Sequence, residues 1–434
     1  LRFCVADCLQ ILPFSDDIMG LLPLLWEQAG EEHLLKQAIL TILSSLMSSL
    51  KGDSVKYHGH ILPLIRNAIE PGSVSSLSMV HVEHGSLTRR QEAMVYLLEE
   101  ALNLWHSIVM QTPAPASPEV LSLLPGLFPI LADATDSTAL GLSIAESYVL
   151  LAPQEVLSDH IRLPLLASLE KLLSSTSGYQ RLGVVPRLVE MIIRATATVD
   201  GGSENSYRVI ASSLLDSCIL QALLDGLYSA YEASQSTGPN RKTSHVYGVL
   251  ETEYFSVLAR LAIASPRVFF DAISRATGTS VEQILSWLLK EWFFHYDNIG
   301  LVTQKKLHTM ALTQLLTINQ NTPNTPPPAY LLNHLQDYLT IWTNIITELS
   351  EGMNDPDKPN KTGDYLIHWS RPDPAVAENY ELIAPAPVAE PPENTRLREW
   401  DNADIIHQIN IRDFVKERLQ MVIEACGGPQ RFQE

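Results

Sequence analysis

Cysteine is scarce in this chain: Cys4, Cys8, Cys218 and Cys426 are the four present among 434 residues. Thiols so few and so scattered cannot form a disulfide scaffold, and their scarcity points to a reducing compartment. Long apolar runs are missing too. No stretch approaches the ~18 residues that a membrane-spanning helix requires, so no membrane partner is expected. Basic charge is in short supply. Lys and Arg number 30 against 49 Asp and Glu, a formal net charge of −19. A field of that sign repels phosphate backbones and anionic lipid and attracts basic protein surfaces. Direct nucleic-acid binding is therefore not expected. An initiator methionine and a signal peptide are also lacking, since the chain opens on Leu1-Arg2-Phe3-Cys4. Phe3, Cys4, Leu9 and Leu12 continue an apolar pattern with no cap before it, so the chain is expected to be a piece of something longer.

What the chain does have is apolar residues at helical spacing. Hydrophobic residues make up 46% and mean hydropathy is +0.04, enough to bury a core along most of the length. Its length is several times the roughly 100–150 residues of one compact domain. From Leu34 and Leu35 through Ala38, Ile39, Ile42, Leu43, Leu46 and Leu50, apolar residues recur at i, i+3, i+4 and i+7. The same period runs through 93–109, 163–173, 182–193, 210–231, 249–263, 284–292, 307–316 and 331–349. Strand-like alternation is nearly absent, and the expected fold class is all-α.

A short Leu-Pro element recurs at Leu22-Pro23, Leu62-Pro63, Leu124-Pro125 and Leu163-Pro164. Pro63 follows Pro23 by 40 residues and Pro164 follows Pro125 by 39, matching the ~40–47 residues of a HEAT or armadillo unit. The wider gap of 62 from Pro63 to Pro125 contains the polar, turn-rich stretch 72–78. After most of these prolines come a turn and a longer amphipathic helix. Such a pair cannot bury its own apolar face, so stacking on neighbours must stabilise the array. The expected architecture is an α-solenoid of HEAT-type helix pairs, about seven up to Glu351, forming a curved superhelix over residues 1–351. A Pro-rich, acidic, non-helical insertion is expected over 352–401 and a terminal helix, stopped by Gly427-Gly428, caps the array within 402–434.

No motif for chemistry is complete in this sequence. Cys4 and Cys8 stand at i, i+4 like a metal pair, but no second pair lies at short spacing. His58 with His60, and His81 with His84, have no accompanying H-E-x-x-H glutamate. Gly141-Leu142-Ser143-Ile144-Ala145 resembles a nucleophile elbow, yet its context is helix on both sides and not a strand-to-helix turn. Gly201-Gly202-Ser203-Glu204 lacks the lysine and preceding strand of a phosphate loop. Asp16-Asp17 and Glu31-Glu32 sit at helix starts, where they complement the helix dipole. No enzyme activity, metal or cofactor is expected. An aromatic cluster stands out more: Trp287, Trp292, Phe293, Phe294 and Tyr296 with Glu291 and Asp297. It is either packing between repeats or an aromatic and acidic patch for a basic partner.

The run Ile284-Leu285-Ser286-Trp287 to Tyr296-Asp297-Asn298-Ile299, followed by Lys305-Lys306-Leu307 and Leu315-Leu316, resembles the late HEAT repeats of importin-beta-type karyopherins. Leu21-Leu22-Pro23-Leu24-Leu25-Trp26 to Lys36-Gln37-Ala38-Ile39-Leu40 is similar to the importin-eleven branch, which includes the fungal karyopherin one-twenty. So are Leu366-Ile367-His368-Trp369 and Phe414-Val415-Lys416-Glu417-Arg418-Leu419. The ordered matches cover most of the chain and resemble the carboxy-terminal half of such a receptor. The resemblance implies a nuclear transport receptor that binds protein cargo on a concave face for import, releases that cargo on binding Ran-GTP in the full-length protein, and engages phenylalanine-glycine nucleoporins. It also implies shuttling between nucleus and cytoplasm with association at the nuclear envelope or pore, and a monomer is expected. The alternative is a HEAT-repeat assembly scaffold without Ran or nucleoporin binding.

The acidic charge suits import cargo with basic surfaces. Expected partner contacts are Glu99, Glu100, Glu251, Glu253, Glu291, Trp292 and Asp297. Within the insertion, Trp369, Tyr380 and Trp400 are expected to anchor a lid or partner site, because bulky aromatics in an acidic loop need a surface to bury against.

Overall fold

The computed structural model describes residues 12–30, 32–69, 89–132, 137–174, 183–236, 242–318, 325–351 and 390–432. Every regular element among these described residues is a helix, as the periodicity requires. The chain divides into two compact units, one of residues 1–177 with 379–400 and the other of residues 178–378 with 401–434.

The first unit contains α1 (Ser15–Gln28), α2 (His33–Leu50), α3 (His58–Ile69), α4 (Arg89–Gln111), α5 (Leu127–Ala132), α6 (Thr138–Leu151) and α7 (Asp159–Ser174). These are three helix pairs and the first helix of another. The second helices α2, α4 and α6 pack side by side in one layer. The first helices form the other layer, with α1 on α3 and α5 on α7. Pro23, Pro63 and Pro164 lie inside α1, α3 and α7, all of them first helices. A proline there removes one backbone hydrogen bond and lets the helix bend, leaving the second helices straight enough to stack. Helices α2 and α4 pack together, and Leu40, Leu43 and Met47 of α2 and Leu102, Trp105 and Ile108 of α4 are all sealed from solvent.

The second unit opens with α8 (Val184–Asp200) and continues through α9 (Glu204–Asp216), α10 (Ile219–Gln235), α11 (Val249–Ala264), α12 (Pro266–Thr277), α13 (Val281–Phe294), α14 (Val302–Leu315) and α15 (Leu335–Glu351). Here the first helix of a pair is split in two. Between α12 and α13 the split is written in the residues. Gly278 takes a left-handed φ of +67° that ends α12, and Ser280 with Gln283 makes a reciprocal capping box that starts α13. The second helices α8, α11, α14 and α15 again pack in order.

The sequence suggested a non-helical insertion up to residue 401, but helix α16 already begins at Pro392 (Pro392–Ala403). Proline at a helix start gives up an N–H that has no partner there, so Pro391-Pro392 permits this helix. The helix belongs to the first unit as far as Trp400. A turn of helix at Ile405–Gln408 and then α17 (Ile411–Ala425) follow in the second unit, and both pack against α14. The consequence is visible in α14 itself, where Lys306 to Thr313 are buried without a break. A surface helix keeps one stripe wet; α14 has neighbours all round it.

Candidate functional site

The structure separates the partner contacts suggested by sequence. Glu99 is exposed and Glu100 half-buried on α4, and Asp297 is exposed on the turn Tyr296–Asn298. Glu253 is half-buried on α11, accepting from Gln304 Nε2 at 3.2 Å; burial raises its pKa above the ordinary value. Glu251, Glu291 and Trp292 are buried, which corrects the expectation that they face a partner. Trp292 stacks on Phe255 with ring centres 5.1 Å apart, and its Nε1 donates to His308 Nδ1 at 3.1 Å. The other ring nitrogen of that histidine, Nε2, lies 2.9 Å from Ser256 Oγ, so the one polar atom of the indole and the imidazole that accepts from it are both committed to the interior. Trp400 is buried on α16. Trp369 and Tyr380, and with them most of the 352–401 insertion, lie outside the described residues.

Glu251 and Glu291 meet at His295. Its Nδ1 lies 3.2 Å from Glu251 Oε2 and its Nε2 lies 3.2 Å from Glu291 Oε1. Hydrogen bonding to Glu291 raises the imidazole pKa above the usual value, with burial opposing and Glu251 assisting. Burial raises Glu251 in turn, with His295 opposing. The three groups offer metal-ligand atoms within 4.8 Å of one another. Yet the two ring nitrogens face different carboxylates, with the Asn298 side chain also 2.8 Å from Nδ1, so the arrangement suits an imidazolium bridge better than a single ion. Glu251 already has a structural task, since its Oε2 accepts from the Gly248 N–H at 3.1 Å and caps α11.

The most charged interior site was not foreseen in the sequence. Asp404 lies against Arg260, whose Nη1 and Nη2 donate to Oδ1 at 2.7 Å and Oδ2 at 2.5 Å. Arg194 Nε adds a contact to Asp404 Oδ2 at 3.0 Å and its Nη2 one to Asp401 Oδ1 at 3.3 Å. Glu190 pairs with Arg260 Nε from the other side. Burial alone would favour neutral Asp404, but Arg260 and then Arg194 hold it down to about 2. Beside this group stands Lys306, fully buried with no hydrogen-bond partner at Nζ, and burial pushes it down to about 8 against the pull of Asp404. One signal could have found the site: Arg260 stands among Val257, Leu258, Ala259, Leu261 and Ala262, a cation inside an apolar run. Such a residue needs a buried partner.

A different surface carries aromatic rings. Trp287 of α13 lies edge-on to Tyr228 of α10, ring centres 5.1 Å apart, and 6.0 Å from Tyr231. Tyr228 remains 44% exposed, so the cluster opens to solvent between two first-layer helices. Of the rejected motifs, Gly141 proves to be a packing residue: a Cβ there would meet Leu131 Cδ2 at 3.1 Å, so glycine lets α6 approach α5. Ser203 caps α9 by accepting from the Ser206 N–H. Cys4, Cys8, His81 and His84 lie outside the described residues.

Paired helices in two layers, with no strand among the described residues, define the class as a helical-repeat protein. The family described as importin-11-like, TPR repeats, matches residues 37–434, and the chain belongs to that family. It is 23% identical to mouse Importin-11 over 429 residues, covering 98% of this chain and 37% of that protein. It is likewise 23% identical to Importin beta-like protein kap113 of Schizosaccharomyces pombe over 424 residues, covering 98% of this chain and 36% of the relative. The chain thus spans little more than a third of these relatives' length, where the sequence had suggested half. Among solved structures it is similar to Lph2, described as a bidirectional nuclear transport receptor in S. cerevisiae. That match has a TM-score of 0.67 and 17% identity and covers 96% of this chain and 38% of that one. These relatives are importins and a transport receptor, not enzymes, and the chain is a non-enzymatic member of their family.

Proposed function

We propose that this chain is part of a nuclear transport receptor that carries protein cargo, with basic surfaces, between cytoplasm and nucleus. Membership of the importin-11-like family over residues 37–434 carries the reading. The net charge of −19 supports a basic partner. Of the acidic contacts named from sequence, Glu99 and Asp297 are exposed at the surface, with Glu100 and Glu253 half-buried. In the full-length receptor Ran-GTP would release cargo, and the open cluster of Tyr228, Tyr231 and Trp287 would receive phenylalanine-glycine repeats of nucleoporins. Exposed rings of that size are suited to stacking a phenylalanine.

The test uses the full-length protein. Pull-down of a basic cargo should be abolished by excess Ran-GTP, and retention of cargo under those conditions would favour an assembly scaffold instead. Capture on phenylalanine-glycine repeat beads should fall about tenfold with Tyr228→Ala and Trp287→Ala together. Unchanged capture removes this cluster from the nucleoporin contact while leaving the cargo reading standing.

A further inference from the structure

Where the C-terminal strap meets the second helices, one buried cation is left without a hydrogen-bond partner. Three cations, Arg194 of α8, Arg260 of α11 and Lys306 of α14, come from successive second helices of the second unit. Into them the chain inserts its own acidic turn, Asp401 to Asp404, just ahead of the helical turn Ile405–Gln408. Asp404 satisfies Arg260 with two parallel hydrogen bonds and touches Arg194, and Asp401 makes a longer contact to Arg194 at 3.3 Å. Nothing reaches Lys306. Its Nζ is sealed from solvent with no hydrogen-bond partner, a state that costs free energy wherever the ammonium stays charged. Glu190 pairs with Arg260 Nε, so Glu190, Asp401 and Asp404 match the three cations in number, and what the geometry leaves over is the Lys306 ammonium, which finds no hydrogen-bond partner in any of them.

We propose that the Arg194–Arg260–Lys306 slot is a binding site for an acidic peptide segment of a partner, held shut here by the chain's own Asp401–Asp404 strap. Carboxylates are the favoured ligand because Arg260 presents its paired N–H groups in the planar geometry that Asp404 matches. An incoming segment with an added acid would pair Lys306 as well, and so could displace the strap. The inference does not depend on which cargo is carried or on Ran.

The probe is a fluorescein-labelled oligoglutamate peptide, titrated onto the whole chain, with oligoglutamine as the uncharged control. Asp404→Asn loosens the strap and should raise oligoglutamate affinity about tenfold over the wild-type chain. Adding Lys306→Gln to that variant should abolish the gain. No gain in Asp404→Asn of unchanged helical circular dichroism overturns the proposal, as does a gain that survives Lys306→Gln. Equal competition by polyphosphate reduces the slot to general anion binding and overturns the peptide reading. If Asp404→Asn does not fold, the wild-type chain still decides. Excess oligoglutamate should speed amide hydrogen exchange across 405–425, compared with sodium chloride at matched ionic strength, and unchanged exchange there overturns the proposal.

Discussion

Arg260 and Asp404, 144 residues apart in the chain, are joined by two parallel hydrogen bonds of 2.7 and 2.5 Å in a site that water does not reach. A buried pair of this kind contributes little over a well-packed apolar pair, but losing one partner strands the other charge. Arg260→Met should therefore cost about 3–5 kcal/mol in urea unfolding. Arg260→Met combined with Asp404→Leu should recover part of that loss, the remainder coming from Glu190 and Arg194, which each lose a partner. A double variant as unstable as the single one would show that the pair acts through more than its stranded charge.

Lys306 makes stability depend on pH. Its pKa falls from 10.5 to about 8 in the folded chain. Below pH 8 both states hold the proton, and the fold bears the full cost of the buried charge, roughly 3 kcal/mol. As pH rises from 8 toward 10.5 the folded state releases its proton first, and stability rises. Lys306→Met should be more stable than wild type at pH 7, and its advantage should shrink by pH 10. Parallel stability curves for the two chains over that range would refute the assignment.

His295 should act in the other direction. Its pKa is raised by Glu291, so its contribution is complete below the unfolded value of 6.5 and is lost as pH rises through the folded value. Glu251, also raised, adds to this trend, since its buried charge becomes a cost once pH climbs above 4.5. His295→Gln is expected to destabilise the chain most at pH 6 and least at pH 8, measured by thermal unfolding. A penalty that grows with pH would exclude the imidazolium bridge.

The aromatic residues divide into interior and surface. Trp292→Ala should cost about 3–5 kcal/mol, because it vacates a filled site and leaves His308 Nδ1 unpaired. Tyr228→Ala should cost less than about 1 kcal/mol, since Tyr228 is 44% exposed. Similar penalties for the two would contradict the burial seen here.

By itself, the sequence determined that the chain is helical, where the pairs repeat and which helices bear prolines. Those properties follow from local spacing: apolar residues at 3.6-residue intervals, Leu-Pro elements about 40 residues apart, and caps such as Ser280 with Gln283. It also flagged Trp292, Glu251 and Glu291 as notable, though not whether they faced inward. Tertiary structure alone decided that. An i, i+4 pair shares a helix face in any sequence, but which face meets solvent depends on what packs there. The strap of α17 and Asp404 lies on α14 and Arg260 from more than 90 residues further along the chain. No local pattern encodes a pairing at that separation, and an Asp beside an Ile carries no mark of the arginine it will meet. The buried charges became legible only when the fold brought them together, because burial and partner, not residue type, set the energy of a charge.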